Sequence, residues 1–293
     1  MSLIDQAGIA ARLYRQSIEN NISWRAYLSK LSQSSNPDVA KKLSSFGALS
    51  HAAKGIVFAE LYGLARGLQV SKEAKLCCTS IVSLSSSVDD IIDQEMSVAQ
   101  ERLQFCEEVF ETLTKGSRHS GNTPHQEAVL TLAQDLHLRT RHYAAISEFY
   151  ATSLQLKNAV IANLGERDPT KLLGLARIIG SCTSGLTNVY GVVDNRFSRE
   201  LETPIQFYGE FGQLIDDLVD YKSDLAEGQN TFPTRCDLSF KEMKKTMLSE
   251  AEKSFERCLK SSKEEWKDYF RVFRKISLLV WNTPDWFVPK YKN

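Results

Sequence analysis

The 293-residue chain has no long hydrophobic run, no excess of either charge and no regular cysteine spacing, and each absence removes a class of protein. No stretch of about 18 apolar residues occurs, so no membrane-spanning helix is expected. The first residues, MSLIDQAGIAARLYRQ, lack the apolar core of a signal peptide, and the expected location is the cytoplasm. Lys plus Arg and Asp plus Glu both total 36, giving a formal net charge of zero. That balance offers no broad basic surface for nucleic acid, so any anionic ligand must be held by a local arrangement. Cys77, Cys78, Cys106, Cys182, Cys236 and Cys258 form no CxxC pair and have no His pair nearby, so buried reduced thiols are expected instead of a zinc site. A Gly-rich phosphate loop, a Ser-His-Asp arrangement and an HExxH motif are also missing, which removes the usual nucleotide, hydrolase and zinc-protease readings.

Alternating β-branched runs are missing too, while apolar residues recur at helical spacing almost throughout. The expectation is a single all-α domain over 1–293, a helical bundle enclosing a central cavity. Helices are predicted over 4–33, 37–69, 72–95, 97–114, 124–164, 169–193, 204–227, 240–261 and 263–282. Capping boxes at Thr123, Thr203, Ser239 and Ser262, and a start at Asp168-Pro169, mark several of their beginnings. A helix as long as 124–164 suits a bundle built around a deep cavity.

Two acidic segments interrupt this apolar pattern. In Ser85-Ser86-Ser87-Val88-Asp89-Asp90-Ile91-Ile92-Asp93, Asp89 and Asp93 fall four apart on one helix face with Asp90 beside them. In the segment from Phe211 to Asp224, Asp216, Asp220 and Asp224 step by four and Asp217 borders the stripe. Like charges at that spacing cost a helix about 0.2–0.5 kcal/mol per pair, so a collected cation would relieve them. Magnesium suits carboxylate oxygens, and usually takes one or two of them together with substrate phosphates. Taken singly, each segment is equally read as a solvated acidic turn. Two such motifs, both embedded in apolar helix, are much harder to obtain by accident.

The pair DDIID and QLIDDLVDYKSDLAEGQNTFP resembles the two Asp-rich motifs of the class I isoprenoid synthase superfamily, from about residue 40 to 280. The run Gln213 to Asp220 is similar to chain-elongating polyprenyl synthases, and DDIIDQE with the later Gly228 and Pro233 resembles phytoene and squalene synthases. The resemblance implies the isoprenoid synthase fold, Mg²⁺ (or Mn²⁺) as cofactor, and an allylic prenyl diphosphate of C15–C20 as substrate. It assigns the catalytic role to Asp89, Asp93, Asp216 and Asp220, and metal binding to these with Asp90, Asp217 and Asp224. Arg177, on a Gly-rich helix, and Arg235 and Lys241 are candidates to bind diphosphate. Arg177 is equally suited to a structural carboxylate, and Arg235 and Lys241 to ordinary surface roles.

The sequence also departs from the elongating pattern. Gln94-Glu95-Met96-Ser97 stands where that family has an Arg pair, Cys182-Thr183 where it has Lys-Thr, and Gln229 where Lys is common. Fewer cations speak against a second diphosphate. The expected reaction is therefore that of a terpene synthase, ionisation followed by cyclisation or water capture. A prenyltransferase, elongating or head-to-head, is the runner-up, and a non-catalytic helical partner subunit is the non-enzyme alternative. A homodimer is left open. Tyr143, Phe149, Tyr150, Phe207, Tyr208 and Phe211 are candidates to face a carbocation, with plain core packing the simpler reading of each. The tail Trp281 to Phe287 is a candidate cover for the site.

Overall fold

A computed structural model describes residues 3–33, 35–47, 69–187 and 199–281, with Gly55, Ile56, Ala59, Glu60, Gly63, Gly67 and Val193 between them. Parts of the predicted helices 37–69 and 169–193, and the tail beyond Trp281, lie outside the described residues. Among the described residues there are twelve α-helices, one π-helical turn and no strand. In order they are α1 (Leu3–Ser32), α2 (Pro37–Ser45), α3 (Lys72–Asp90), the π turn Ile91–Glu95, α4 (Ala99–Lys115) and α5 (Pro124–Thr140). Then follow α6 (Ile146–Gly165), α7 (Pro169–Leu186), α8 (Arg199–Val219), α9 (Tyr221–Glu227), α10 (Phe232–Arg235), α11 (Phe240–Ser261) and α12 (Glu264–Trp281). No helix of the described residues is long and apolar enough to cross a membrane.

Local chemistry explains most boundaries. Asn36, Ser71, Thr123, Asp168 and Ser239 each accept a hydrogen bond from a backbone N–H of the first helical turn, the group that would otherwise lack a partner. At Ser239 the capping box is complete, with Glu242 bonded back to the Ser239 N–H at 3.1 Å.

Four expected boundaries are corrected. The single helix 124–164 is two: α5 ends at Thr140, which is fully buried with its hydroxyl bonded back to the Leu136 carbonyl at 2.8 Å, and α6 begins at Ile146. Between them the chain tightens into turns, Tyr143 N–H to Thr140 O and Ile146 N–H to Tyr143 O, both 3.1 Å. The helix expected to begin at Thr203 begins at Arg199 instead, with Pro204 inside it. Burying Leu201 on the same stripe as Ile205 and Tyr208 offsets the one hydrogen bond that proline removes. Ser262 does not cap α12, because its hydroxyl donates to the Cys258 carbonyl at 2.6 Å. The segment 204–227 bends at Asp220, where φ is −85° and ψ is 1°.

α3 runs through the core, with Ala74 and Leu76 to Leu84 buried, and packs on α1, α5 and α7. α8 buries Leu201, Ile205, Tyr208, Phe211, Leu214 and Ile215, and lies between α7 and α11. α7 and α8 meet backbone to backbone at Gly180 and Gly209. A Cβ on Gly180 would stand 2.5 Å from the Gly209 carbonyl oxygen, and one on Gly209 would stand 2.3 Å from the Gly180 oxygen. Five of the six cysteines are buried and all are free. Burial pushes Cys77 up to about 12 and Cys106 and Cys182 up to about 11, which keeps these thiols protonated.

Glycine normally weakens a helix, so alanine at position 180 or 209 would gain on propensity alone. The contact reverses that sign. Gly180→Ala and Gly209→Ala should each destabilise the protein by about 1–3 kcal/mol in urea denaturation, the range for forced overpacking. Gly174→Ala, whose Cβ would meet nothing within 4 Å, should not.

Candidate active site

Both aspartate segments fall where a regular α-helix is interrupted. α3 ends at Asp90, and the chain widens into the π turn that carries Asp93. Ile91 and Ile92 at its start are 0% and 3% exposed, so the turn is pinned in the core from that side. Such π turns are rare and recur at functional sites. On the other segment, α8 ends at Val219, Asp220 forms the bend, and α9 presents Asp224 before closing at Gly228. Gly228 adopts φ 73°, the left-handed conformation that glycine reaches without strain.

Asp89 and Asp90, and Asp216 and Asp217, therefore lie in the last turns of α3 and α8, where the exposed carbonyls make the helix dipole negative, while Asp220 and Asp224 stand at the start of α9. Neither α3 nor α8 has a basic residue in its last turn. The fold adds a second conflict by bringing the two segments together. The Asp89 carboxyl is pushed up to about 7, by burial first and then by repulsion from Asp93, Asp90, Asp216 and Asp224. Asp89 is nevertheless exposed to solvent on part of its surface. Asp217 is buried and also raised to about 7, by burial first. The hydrogen bond from Gln213 Nε2 (2.8 Å) pulls it back, and Asp216, Asp224 and Asp89 push it up. Asp89 and Asp217, one from each segment, thus repel one another.

Asp216 and Asp224 are half-buried, Asp93 is half-buried, and Asp90 and Asp220 are exposed. The Asp220 N–H bonds the Asp216 carbonyl at 2.9 Å and the Asp224 N–H bonds that of Asp220 at 2.8 Å, which keeps the stripe in helical register through the bend. The predicted cations are distributed differently. Arg177 is ion-paired with Glu250 of α11, the structural pairing that its sequence context left open. Arg235 donates from Nε to Asn230 Oδ1 at 2.9 Å, and Lys241 is exposed in the first turn of α11. The aromatic candidates pack in the core: Phe149, Tyr208 and Phe211 are buried, and Phe207 lies under Arg257, 3.9 Å from ring centroid to guanidinium.

Three supporting residues were not anticipated. Gln213 holds Asp217. Asn230 anchors the turn after the second segment, donating to the carbonyls of Asn163 (2.5 Å) and Glu166 (2.7 Å). His125 bonds Glu95, two residues beyond Asp93, at 2.7 Å. The i, i+4 spacing of Gln213 and Asp217 was visible in sequence; the other two bridge distant parts of the chain.

All donors in these segments are carboxylate oxygens, the set preferred by Mg²⁺ or Mn²⁺ over zinc. Among the described residues, no three His, Cys, Asp or Glu side chains converge to hold an ion by themselves. Aspartates spread over two facing segments fit a hard cation that draws its remaining ligands from water and phosphate, and do not fit a closed protein cage.

No family model matches the chain, and no curated protein matches it. Solved structures do. Linalool/nerolidol synthase from Streptomyces clavuligerus, in complex with 2-fluorogeranyl diphosphate, is 13% identical, over 91% of this chain and 98% of that one, with a TM-score of 0.59. A variant of cucumene synthase is 11% identical over 90% and 93%, with a TM-score of 0.60. A geranyltranstransferase from Methanosarcina mazei is 14% identical over 89% and 97%, at 0.61. The chain thus has the all-α fold of class I isoprenoid synthases, shared by terpene synthases and a prenyl-chain transferase alike.

The raised carboxyls set a pH dependence for the metal-free protein. Folded Asp89 and Asp217 hold protons that the unfolded chain releases near pH 4, so stability falls as pH rises from about 4 to 7. Thermal melts in chelator should show a higher Tm at pH 5.5 than at pH 8, and the Asp89→Asn/Asp217→Asn double variant should flatten that difference.

Proposed function

We propose that the chain is a Mg²⁺-dependent terpene synthase that ionises one allylic prenyl diphosphate of C15–C20 and cyclises or quenches the resulting carbocation. The observation that carries this reading is the convergence of Asp89 with Asp216 and Asp224, two acidic segments far apart in sequence that share one electrostatic field. Acidic turns exposed on separate surfaces would not repel one another in this way.

On this reading Asp89, Asp90 and Asp93 from one side, and Asp216, Asp217, Asp220 and Asp224 from the other, hold the metal. Bound Mg²⁺ supplies charge neutralisation for the departing diphosphate. The chain itself supplies placement: the π turn and the bend at Asp220 present the carboxylates, and Gln213 and Asn230 fix their surroundings. Arg177, Arg235 and Lys241 are the proposed diphosphate contacts. Arg177 would exchange Glu250 for phosphate, and Arg235 would exchange Asn230. Few cations in and around the first segment favour one diphosphate over two. Fold likeness to a geranyltranstransferase keeps prenyl transfer as the second reading.

The purified protein should be incubated with C10, C15 and C20 allylic diphosphates and Mg²⁺, with and without isopentenyl diphosphate, and the products identified. One allylic diphosphate should be consumed to hydrocarbon or alcohol, with no incorporation of labelled isopentenyl diphosphate and no turnover in chelator. Asp89→Ala and Asp220→Ala should each abolish turnover and leave the helical circular dichroism unchanged. Efficient incorporation of label, or joining of two allylic units, would move the assignment to a prenyltransferase. Wild-type turnover by both variants would end the isoprenoid synthase reading.

A further inference from the structure

The acidic run after α3 contains one carboxylate that is matched to positive polarity. Glu95, the last residue of the π turn, reaches the start of α5. Its Oε1 lies 2.7 Å from His125 Nδ1, and its Oε2 accepts from the Thr123 hydroxyl at 3.1 Å. An ionised carboxylate only accepts, so the imidazole proton of this pair sits on Nδ1. Thr123 is the N-cap of α5 and His125 lies in its first turn, so Glu95 also meets the positive end of a helix dipole. His125 is braced in turn, its ring 5.9 Å from that of Phe46, which is 3% exposed.

The π turn is therefore gripped at both ends. Ile91 and Ile92 are sunk in the core, and Glu95 is tied across to α5. Asp93 lies between the two anchors. A π turn has wider and weaker hydrogen bonding than an α-helix and is not self-supporting, so its shape must be imposed from outside. Just past the turn Met96 is buried and its carbonyl accepts from Arg102 Nε at 2.8 Å, but within the turn itself Glu95 is the residue that ties the far end to another helix.

We infer that Glu95, latched by His125 and Thr123, is a positioning residue that sets the π turn and thereby aims Asp93 toward the facing segment. This deepens the proposed function and rests on it for the metal. Glu95 itself bonds away from the aspartates and is not a ligand. Partners that orient metal-binding side chains in this way typically change metal affinity by 10–100-fold when removed.

The test uses Glu95→Gln, His125→Ala and His125→Asn in the full chain, since an Asn amide can restore the Nδ1 donor. Hydrogen exchange of the metal-free protein should show faster exchange at residues 92–96 in Glu95→Gln and His125→Ala, with 76–84 of α3 unchanged and His125→Asn returning toward wild type. In the assay, the Mg²⁺ concentration for half-maximal rate should rise by about 10–100-fold in the first two variants, while kcat at saturating Mg²⁺ stays near wild type. The Glu95→Gln/His125→Ala double variant should match the worse single one, as expected for two residues in one interaction. Unchanged exchange at 92–96, additive effects, or a loss in Glu95→Gln far exceeding that in His125→Ala would overturn the latch. A wild type indifferent to Mg²⁺ would instead overturn the functional reading, and the exchange measurement would still decide whether the latch exists.

Discussion

The structure turns on repulsion among carboxylates that the fold itself gathers. Two helices end in aspartates, at the pole where their dipoles are already negative, and the fold brings the two ends within electrostatic reach of each other. Nothing within α3 or α8 relieves this, since neither last turn is basic. The penalty must be carried by the rest of the bundle. Burial of α3 along most of its length, and the close seat of α8 on α7 through Gly180 and Gly209, supply it. A fold that spends stability in this way at one place, while satisfying helix caps and burying apolar stripes elsewhere, points to function at that place.

The same constraint explains why regular helix fails at both segments. An uninterrupted α-helix through Asp93 would keep every carboxylate in one stripe fixed by the 3.6-residue period. The π turn re-aims the side chains after Ile91, and the bend at Asp220 redirects α9. The first interruption is held from another part of the chain, Glu95 to α5, and the turn that follows the second segment is held likewise, Asn230 to the α6–α7 connection. Local geometry that departs from the default therefore depends on long-range hydrogen bonds.

That dependence marks what could be read from sequence. Periodicity gave the all-α class, and caps at Thr123, Asp168 and Ser239 gave true helix starts, because both are local effects. The two aspartate segments were legible because carboxylates four apart in apolar helix violate a local rule. What failed was decided at a distance. The predicted 124–164 helix gives way to turns between Thr140 and Ile146, and Leu201 extends α8 upstream of Pro204 because there is core for it to enter. Arg177 finds Glu250, and Phe207 finds Arg257, through packing between helices that no spacing encodes.

The distribution of cations bears most directly on the chemistry proposed. Arg177 is matched to Glu250, Arg257 to Glu210, and Arg139 to Glu73, each across a helix pair. These three arginines thus tie the bundle together, while the aspartates at the ends of α3 and α8 repel one another. On the proposed function, a diphosphate approaching that acidic face would meet repulsion unless divalent charge arrived with it. Metal and anion must then bind together, each making the site hospitable to the other, and such coupling is reciprocal. On the proposed function, such an arrangement would suit one diphosphate with its metal better than two.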